Sequence, residues 1–173
     1  MEGRRPLRVL VQVRAALAER VAAAVSDAEV VVVPGEGAVP AGVTGEVLLT
    51  LAWGTSNLKE VLTRGVRWVH VLGTGVDAFP LALVGERTLT CSRGGSAVPI
   101  AEWVLAVMLA FEKRLPATWL RDPPAEAWGR GRLGSLAGKT LGLVGLGGLA
   151  TAGPARGLPF GMGVRGCRRT PAP

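Results

Sequence analysis

The chain has 173 residues, enough for one fair-sized core or for one small domain and part of a second. Hydrophobic residues make up 49% and charged residues 19%, a balance that excludes disorder by composition. The formal charge of +7 raises nucleic acid as a partner, but four arginines and no acid lie between Ala152 and Pro173, so over half of the excess sits in one tail and no nucleic-acid surface is expected.

Taken in order, short apolar runs alternate with helix-period segments. Leu7–Val13 is rich in β-branched residues and predicts a strand; the Ala-rich Arg14–Val25 predicts a helix. Glu29–Val33 is a second strand, stopped by Pro34-Gly35, and Val47–Leu51 a third. Ser56–Thr63 predicts a helix with Ser56 or Asn57 as its N-cap. Trp68–Leu72 and Thr88–Cys91 complete a set of five strands. Continuous apolar strands separated by helices predict an α/β fold with a parallel sheet covered on both faces.

A longer helix follows, from about Ala97 to Arg114. Ile100, Trp103, Val104, Val107, Met108, Phe111 and Leu115 keep the 3,4 spacing, and Leu105 and Leu109 add apolar surface off that stripe. A helix apolar on more than one face is expected to be buried on more than one side: between domains, between subunits, or in the core of one domain. Asp122-Pro123-Pro124 marks a loop, and the Gly-rich, basic Trp128–Gly138 a connector. Lys139–Val144 is a strand that runs straight into a glycine-rich turn, and Gly163–Cys167 is a further candidate strand.

Cys91 and Cys167 are far apart and have no CxxC or His-rich partner, so neither a disulfide framework nor a metal site is expected. Both are read as small buried residues in a reducing compartment. Arg4, Arg5, Arg8 and Arg14 break any signal-peptide core. The longest apolar run, Val98–Phe111, contains Glu102 and is too short to span a bilayer. The expectation is a cytoplasmic protein without a membrane partner.

The stretch Gly145-Leu146-Gly147-Gly148-Leu149-Ala150 fits G-x-G-x-x-A. The first glycine makes a tight turn from strand to helix, the second lets a pyrophosphate approach the backbone, and the small third residue lets the helix pack on the strand. Phosphates would then face free N–H groups at the helix start. The pattern is short, and a Gly-rich turn of no further purpose would also produce it; the strand before it favours dinucleotide binding. An acid is expected about 20 residues on, to bind the adenosine ribose. Instead Arg168-Arg169 follows the candidate strand. Arginine suits a 2′-phosphate and tilts the cofactor from NAD towards NADP; a solvated basic tail is the alternative.

At this point the motifs resemble those of a known family. Gly73-Thr74-Gly75-Val76-Asp77 resembles the G-[AT]-G-[VF]-D loop of the D-isomer-specific 2-hydroxyacid dehydrogenases. Ser96–Trp103 (SAVPIAEW) resembles the start of their long helix, and Trp128 with Leu133–Gly142 (LGSLAGKTLG) resembles their run into the cofactor-binding glycines. The resemblance implies a flavodoxin-like substrate domain over residues 1–95. It implies, over residues 96–173, a long inter-domain or dimer helix and the first part of a Rossmann NAD(P)-binding domain. It implies hydride transfer between a nicotinamide and a small 2-hydroxy or 2-keto acid, usually in a homodimer. Gly73, Thr74 and Gly75 would hold the substrate carboxylate in a nest of backbone N–H groups, although a tight turn alone would also favour glycine there. Gly145, Gly147, Gly148, Leu149, Ala150 and Arg168 would hold the cofactor.

The resemblance further implies a catalytic Arg, Glu and His beyond the glycine turn. Only 28 residues follow Gly145, so this triad is expected to lie outside the chain, and the chain alone is expected to be inactive. No residue here is assigned a catalytic role. The single histidine, His70, precedes the GTGVD loop and is expected to pack against a neighbour; Glu102 matches a helix position of the family and not its catalytic Glu. The helix after the glycines should run about three turns, but Gly153-Pro154 and Gly157 fall within it, and an interior proline costs about 3 kcal/mol. Lys139–Pro173 offers at most one βαβ unit, expected to be poorly ordered by itself. The alternative to a dehydrogenase fragment is a non-catalytic, dimerising or carboxylate-binding remnant of that family.

Overall fold

The computed structural model describes residues 5–119, 133–153, 156 and 158–170. The expected loop at Asp122-Pro123-Pro124, the first part of the connector from Trp128, and the helix-interrupting Pro154 and Gly157 lie outside the described residues. The chain divides into two compact units, Met1–Arg93 and Gly94–Pro173.

In the first unit, β1 (Leu7–Val11), β2 (Ala28–Val32), β3 (Val47–Leu51), β4 (Trp68–Leu72) and β5 (Thr88–Cys91) form one sheet. The strand order is β2-β1-β3-β4-β5, and every pairing is parallel. This is the flavodoxin-like order, with its switch point between β1 and β3. Alternate side chains feed two cores. Val9, Val11, Val47 and Leu49 pack with Ala18 of α1 (Ala15–Ala24) on one face. Leu10, Leu48, Val69 and Val71 pack on the other with Leu58, Val61 and Leu62 of α2 (Leu58–Leu62) and with Phe79. Burying both faces explains why these strands read as continuous apolar runs. Each such side chain contributes about 1.5–3 kcal/mol of transfer free energy.

Local details depart from the sequence expectation. β1 ends at Val11 and not at Val13: the Gln12 N–H still reaches Leu49 O (2.9 Å), but its side chain turns into a buried polar cluster. Asn57 does precede α2, yet neither it nor Ser56 caps the helix through its side chain. Asn57 Nδ2 instead donates to Pro34 O (3.0 Å) and Gly37 O (2.9 Å). At the opposite edge of the sheet, the Arg8 N–H donates to Glu46 Oε2 (2.9 Å) while the Glu46 N–H donates to Arg8 O (3.0 Å), fastening β1 to the approach of β3.

In the second unit, α3 (Ala97–Glu112) ends two residues before the expected Arg114. β6 (Thr140–Val144) and β7 (Gly163–Cys167) pair in parallel, joined through α4 (Gly148–Ala152). This is one βαβ unit, and α4 has a single turn and a half where three turns were expected. Leu105 of α3, Leu136 and Met162 make its small core, with Met108, Leu109 and Leu141 packed around them. The covered side of α3 is therefore Ala101–Leu105–Met108–Leu109 and not the longer predicted stripe. Trp103 is 65% exposed and Phe111 81%. The cysteines also depart from expectation: Cys91 is half-buried and Cys167 is exposed.

Candidate carboxylate and cofactor sites

The first candidate site grows from the C-terminal end of β4. Gly73 has φ +120°, a conformation that side chains rarely adopt, and it turns the chain out of the sheet. Gly73, Thr74 and Gly75 are all exposed. The carbonyls of this loop are held from β5: the Ser92 N–H donates to Gly73 O (2.8 Å) and the Cys91 thiol to Thr74 O (3.4 Å). Among the described hydrogen bonds no protein acceptor takes the N–H of Thr74 or Gly75. Pinned carbonyls with free N–H groups are the polarity an anion requires.

His70 sits behind this loop. Its Nδ1 meets Thr90 Oγ1 at 2.8 Å and its Nε2 meets Ser92 Oγ at 3.2 Å, while Trp68 Nε1 donates to Thr90 Oγ1 at 2.8 Å. His70 thus packs against β5, as expected, and steadies the residue whose backbone holds Gly73.

Nearby, a polar cluster was not foreseen. Gln12 Nε2 donates to Pro34 O (3.0 Å) and Asn57 Oδ1 (2.8 Å), and Gln12 Oε1 accepts from Thr50 (3.1 Å) and Thr55 (3.0 Å). Gln12, Thr50 and Asn57 are all buried. They tie the loops after β1, β2 and β3 together at the C-terminal edge of the sheet. The only sequence signal was a glutamine at the end of an otherwise apolar run.

The second candidate site lies at the C-terminal end of β6. Gly145 has φ +96°, and its N–H donates to Cys167 O (2.8 Å). A Cβ built on Gly145 or Gly147 would meet nothing within 4 Å, so the backbone is open to close approach. Gly147 precedes α4, whose Thr151 N–H bonds back to Gly147 O (3.1 Å); Gly148 and Leu149 are exposed and Ala150 is buried against the unit's interior. Arg168 follows β7 directly, at the same end of the two strands as Gly145. It is exposed, and its Nε donates to Thr170 O. The structure therefore brings all six proposed cofactor residues to one end of the second unit, and Gly73, Thr74 and Gly75 to one edge of the first. The open glycines fit a dinucleotide pyrophosphate; α4 is too short to add much dipole.

No protein-family model matches the sequence. Solved structures do match. An NADPH-dependent glyoxylate/hydroxypyruvate reductase from Sinorhizobium meliloti, in complex with citrate, has TM-score 0.70 and 23% identity, over 97% of this chain and 56% of its own. A 2-hydroxyacid dehydrogenase from Ketogulonicigenium vulgare has TM-score 0.67 and 22% identity, over 96% and 55%. An NAD+-bound 3-phosphoglycerate dehydrogenase from Entamoeba histolytica has TM-score 0.62 and 16% identity, over 95% and 55%. The fold is that of the 2-hydroxyacid dehydrogenases. The chain spans a little over half the length of these dehydrogenases. Among the described residues no helix is long and apolar enough to cross a membrane.

Proposed function

We propose that the chain carries the substrate domain and the first part of the NAD(P)-binding domain of a D-2-hydroxyacid dehydrogenase. The observation that carries this reading is the glycine turn, where Gly145 and Gly147 leave open backbone at the C-terminal end of a parallel strand. The pyrophosphate of NAD or NADP would lie against Gly145, Gly147, Gly148, Leu149 and Ala150. Arg168, standing where an acid would select a bare ribose, favours the 2′-phosphate of NADP. A nicotinamide held there supplies the hydride. The free N–H groups of Thr74 and Gly75 would hold the carboxylate of a small 2-hydroxy or 2-keto acid. The resemblance implies that the Arg, Glu and His of this chemistry lie beyond the glycine turn, and we assign turnover to a protein that supplies them.

The test is a titration of the 173-residue chain with NADPH and NADH, followed by nucleotide fluorescence, and then an assay with NADPH and glyoxylate. We expect saturable binding, abolished by Gly147→Val, with NADPH the tighter of the two, and no reduction above background. Equal, unsaturable fluorescence from wild type and variant would sink cofactor binding, and measurable reduction would sink the claim that the chain alone is inactive.

A second reading has its own support. Trp103, Val107 and Phe111 form an exposed apolar face on α3. It favours a homodimer through this helix, whether or not cofactor binds. Sedimentation should give a dimer for wild type and a folded monomer for Phe111→Glu; a wild-type monomer at all concentrations would end the dimer reading.

A further inference from the structure

His70 is the single histidine of the chain, and it is half-buried on β4. Imidazole is the side chain whose charge ordinarily changes between about pH 5 and 8. In the register of the sheet His70 lies opposite Leu49 on β3 and Thr90 on β5, so the three share one face. Its ring nitrogens reach Thr90 and Ser92, and no carboxylate is paired with the ring among the described residues. A single serine separates the ring from the carboxylate loop. Nε2 meets Ser92 Oγ at 3.2 Å, and the Ser92 N–H holds Gly73 O at 2.8 Å. Val47, Leu49 and Leu51 of β3 bring no charge to this face. The charged groups of the adjoining segments are Arg14 and Arg20, which line a groove together with Leu72, Arg93 after Ser92, and Asp77 in the loop. Asp77 Oδ2 lies 3.0 Å from the place that a Cβ on Gly75 would take.

We propose that an acid bound at Thr74 and Gly75 is held together with a proton on His70. This adds regulation by pH to the carboxylate site of the function proposed above, and rests on that site. With the ring neutral, the hydrogen bonds run one way: Trp68 donates to Thr90, Thr90 to Nδ1, and Nε2–H to Ser92. A proton taken from solvent onto Nδ1 turns the Thr90 bond round. Thr90 Oγ1 then accepts from both Trp68 and His70, for which its two lone pairs suffice, and Nε2–H still donates to Ser92. The bonds that steady the loop survive, and a positive charge is added behind it. A carboxylate on the Thr74 and Gly75 N–H groups gives that charge a partner, and the charge offsets the repulsion from the Asp77 carboxylate. Proton and acid therefore favour one another, and the linkage is reciprocal. Because the complex holds more protons than its free parts, affinity rises as pH falls through the imidazole range. Glyoxylate stays an anion throughout that range.

The test is a titration of the isotope-labelled 173-residue chain with glyoxylate, at about pH 7.5 and about pH 5.5. The Thr74 and Gly75 amide resonances report affinity, and the His70 ring carbons report its charge. We expect the wild type to bind roughly two- to fivefold more tightly at the lower pH, the range of ion pairs open to solvent. By reciprocity, saturating glyoxylate should raise the proton affinity of the ring by the same factor. His70→Gln keeps one acceptor for Thr90 and one donor for Ser92 but takes up no proton. It should bind as the wild type does at the higher pH, and no more tightly at the lower. Wild-type affinity that is equal at both values, with Thr74 and Gly75 still shifting, overturns the inference and leaves the carboxylate site standing. A pH dependence that survives in His70→Gln also overturns it, and assigns the proton to another group such as Asp77 or the Cys91 thiol. If the variant does not fold, the wild-type ring decides alone: a titration that saturating glyoxylate leaves in place overturns the inference. No shift at Thr74 and Gly75 at either pH overturns the carboxylate site and this inference with it.

Discussion

At the scale of single residues, hydrogen-bond arithmetic decides more than proximity does. The Trp68 indole can only donate, so Thr90 Oγ1 accepts from it. The Thr90 hydroxyl proton then goes to His70 Nδ1, leaving Nε2–H to donate to Ser92 Oγ. The other tautomer would strand the Thr90 proton among the described groups. Nitrogen spectra of neutral His70 should therefore show the Nε2–H form, and Thr90→Val should release the preference; an Nδ1–H wild type would contradict the argument. Asn57 offers a second case. It satisfies two loop carbonyls and one Gln12 donor, so Asn57→Ala should cost roughly 1–3 kcal/mol in urea unfolding. Asn57→Asp, which keeps the shape but loses both donors to Pro34 and Gly37, should cost no less. An unchanged midpoint for either would mean the cluster contributes nothing. Glu46 sets the acid limb: the Arg8 N–H first, then its own N–H and the charges of Arg67 and Arg5, hold its carboxyl below the usual carboxylate range. A lowered folded pKa adds stability above the unfolded value, lost as pH falls through the folded one. The wild-type advantage over Glu46→Gln should thus be present at neutral pH and vanish in acid; an advantage that grows in acid would refute it.

At the scale of elements, the strands were legible because parallel strands buried on both faces leave uninterrupted apolar runs. β3, β4 and β5 fall where the sequence places them, and β1 overran only because Gln12 reads as a strand residue until its partners Thr50, Thr55 and Asn57 are known. The polar cluster was hidden for the same reason: its members are spread over 45 positions, from Gln12 to Asn57, and no local pattern joins them. The glycine loops were legible from their motifs, because a tight turn out of a parallel strand leaves a local signature. For α3 the sequence marks an apolar cylinder without saying which side is covered. The structure chooses Leu105, at 9% exposure, over Trp103 and Phe111. Leu105→Ala should accordingly destabilise the second unit by roughly 2 kcal/mol at every chain concentration, whereas any loss from Phe111→Ala should vanish on dilution to monomer. Equal losses from the two in the dilute monomer would mean the covered side is misassigned.

At the scale of the whole chain, the two units are built on very different cores. The first buries a layer on each side of five strands, and the second, among the described residues, gathers a cluster of three buried side chains beside two strands. Amide exchange should be slowest in β3 and β4 and much faster in β6 and β7, whose residues are mostly exposed. Uniform protection across all seven strands would argue that the units unfold together.

The division at Arg93 also has a consequence in time. Every strand pairing of the first sheet, including the long reach from β1 to β3, is complete once Cys91 has been made. The residues from Gly94 onward number about 80 and, at typical synthesis rates, would take roughly 4–16 s to add. Mixed α/β domains of this size fold in less time than that. The ribosome would therefore be carrying a finished parallel sheet, with the Gly73–Gly75 loop already turned out of its edge, before the glycine turn is made.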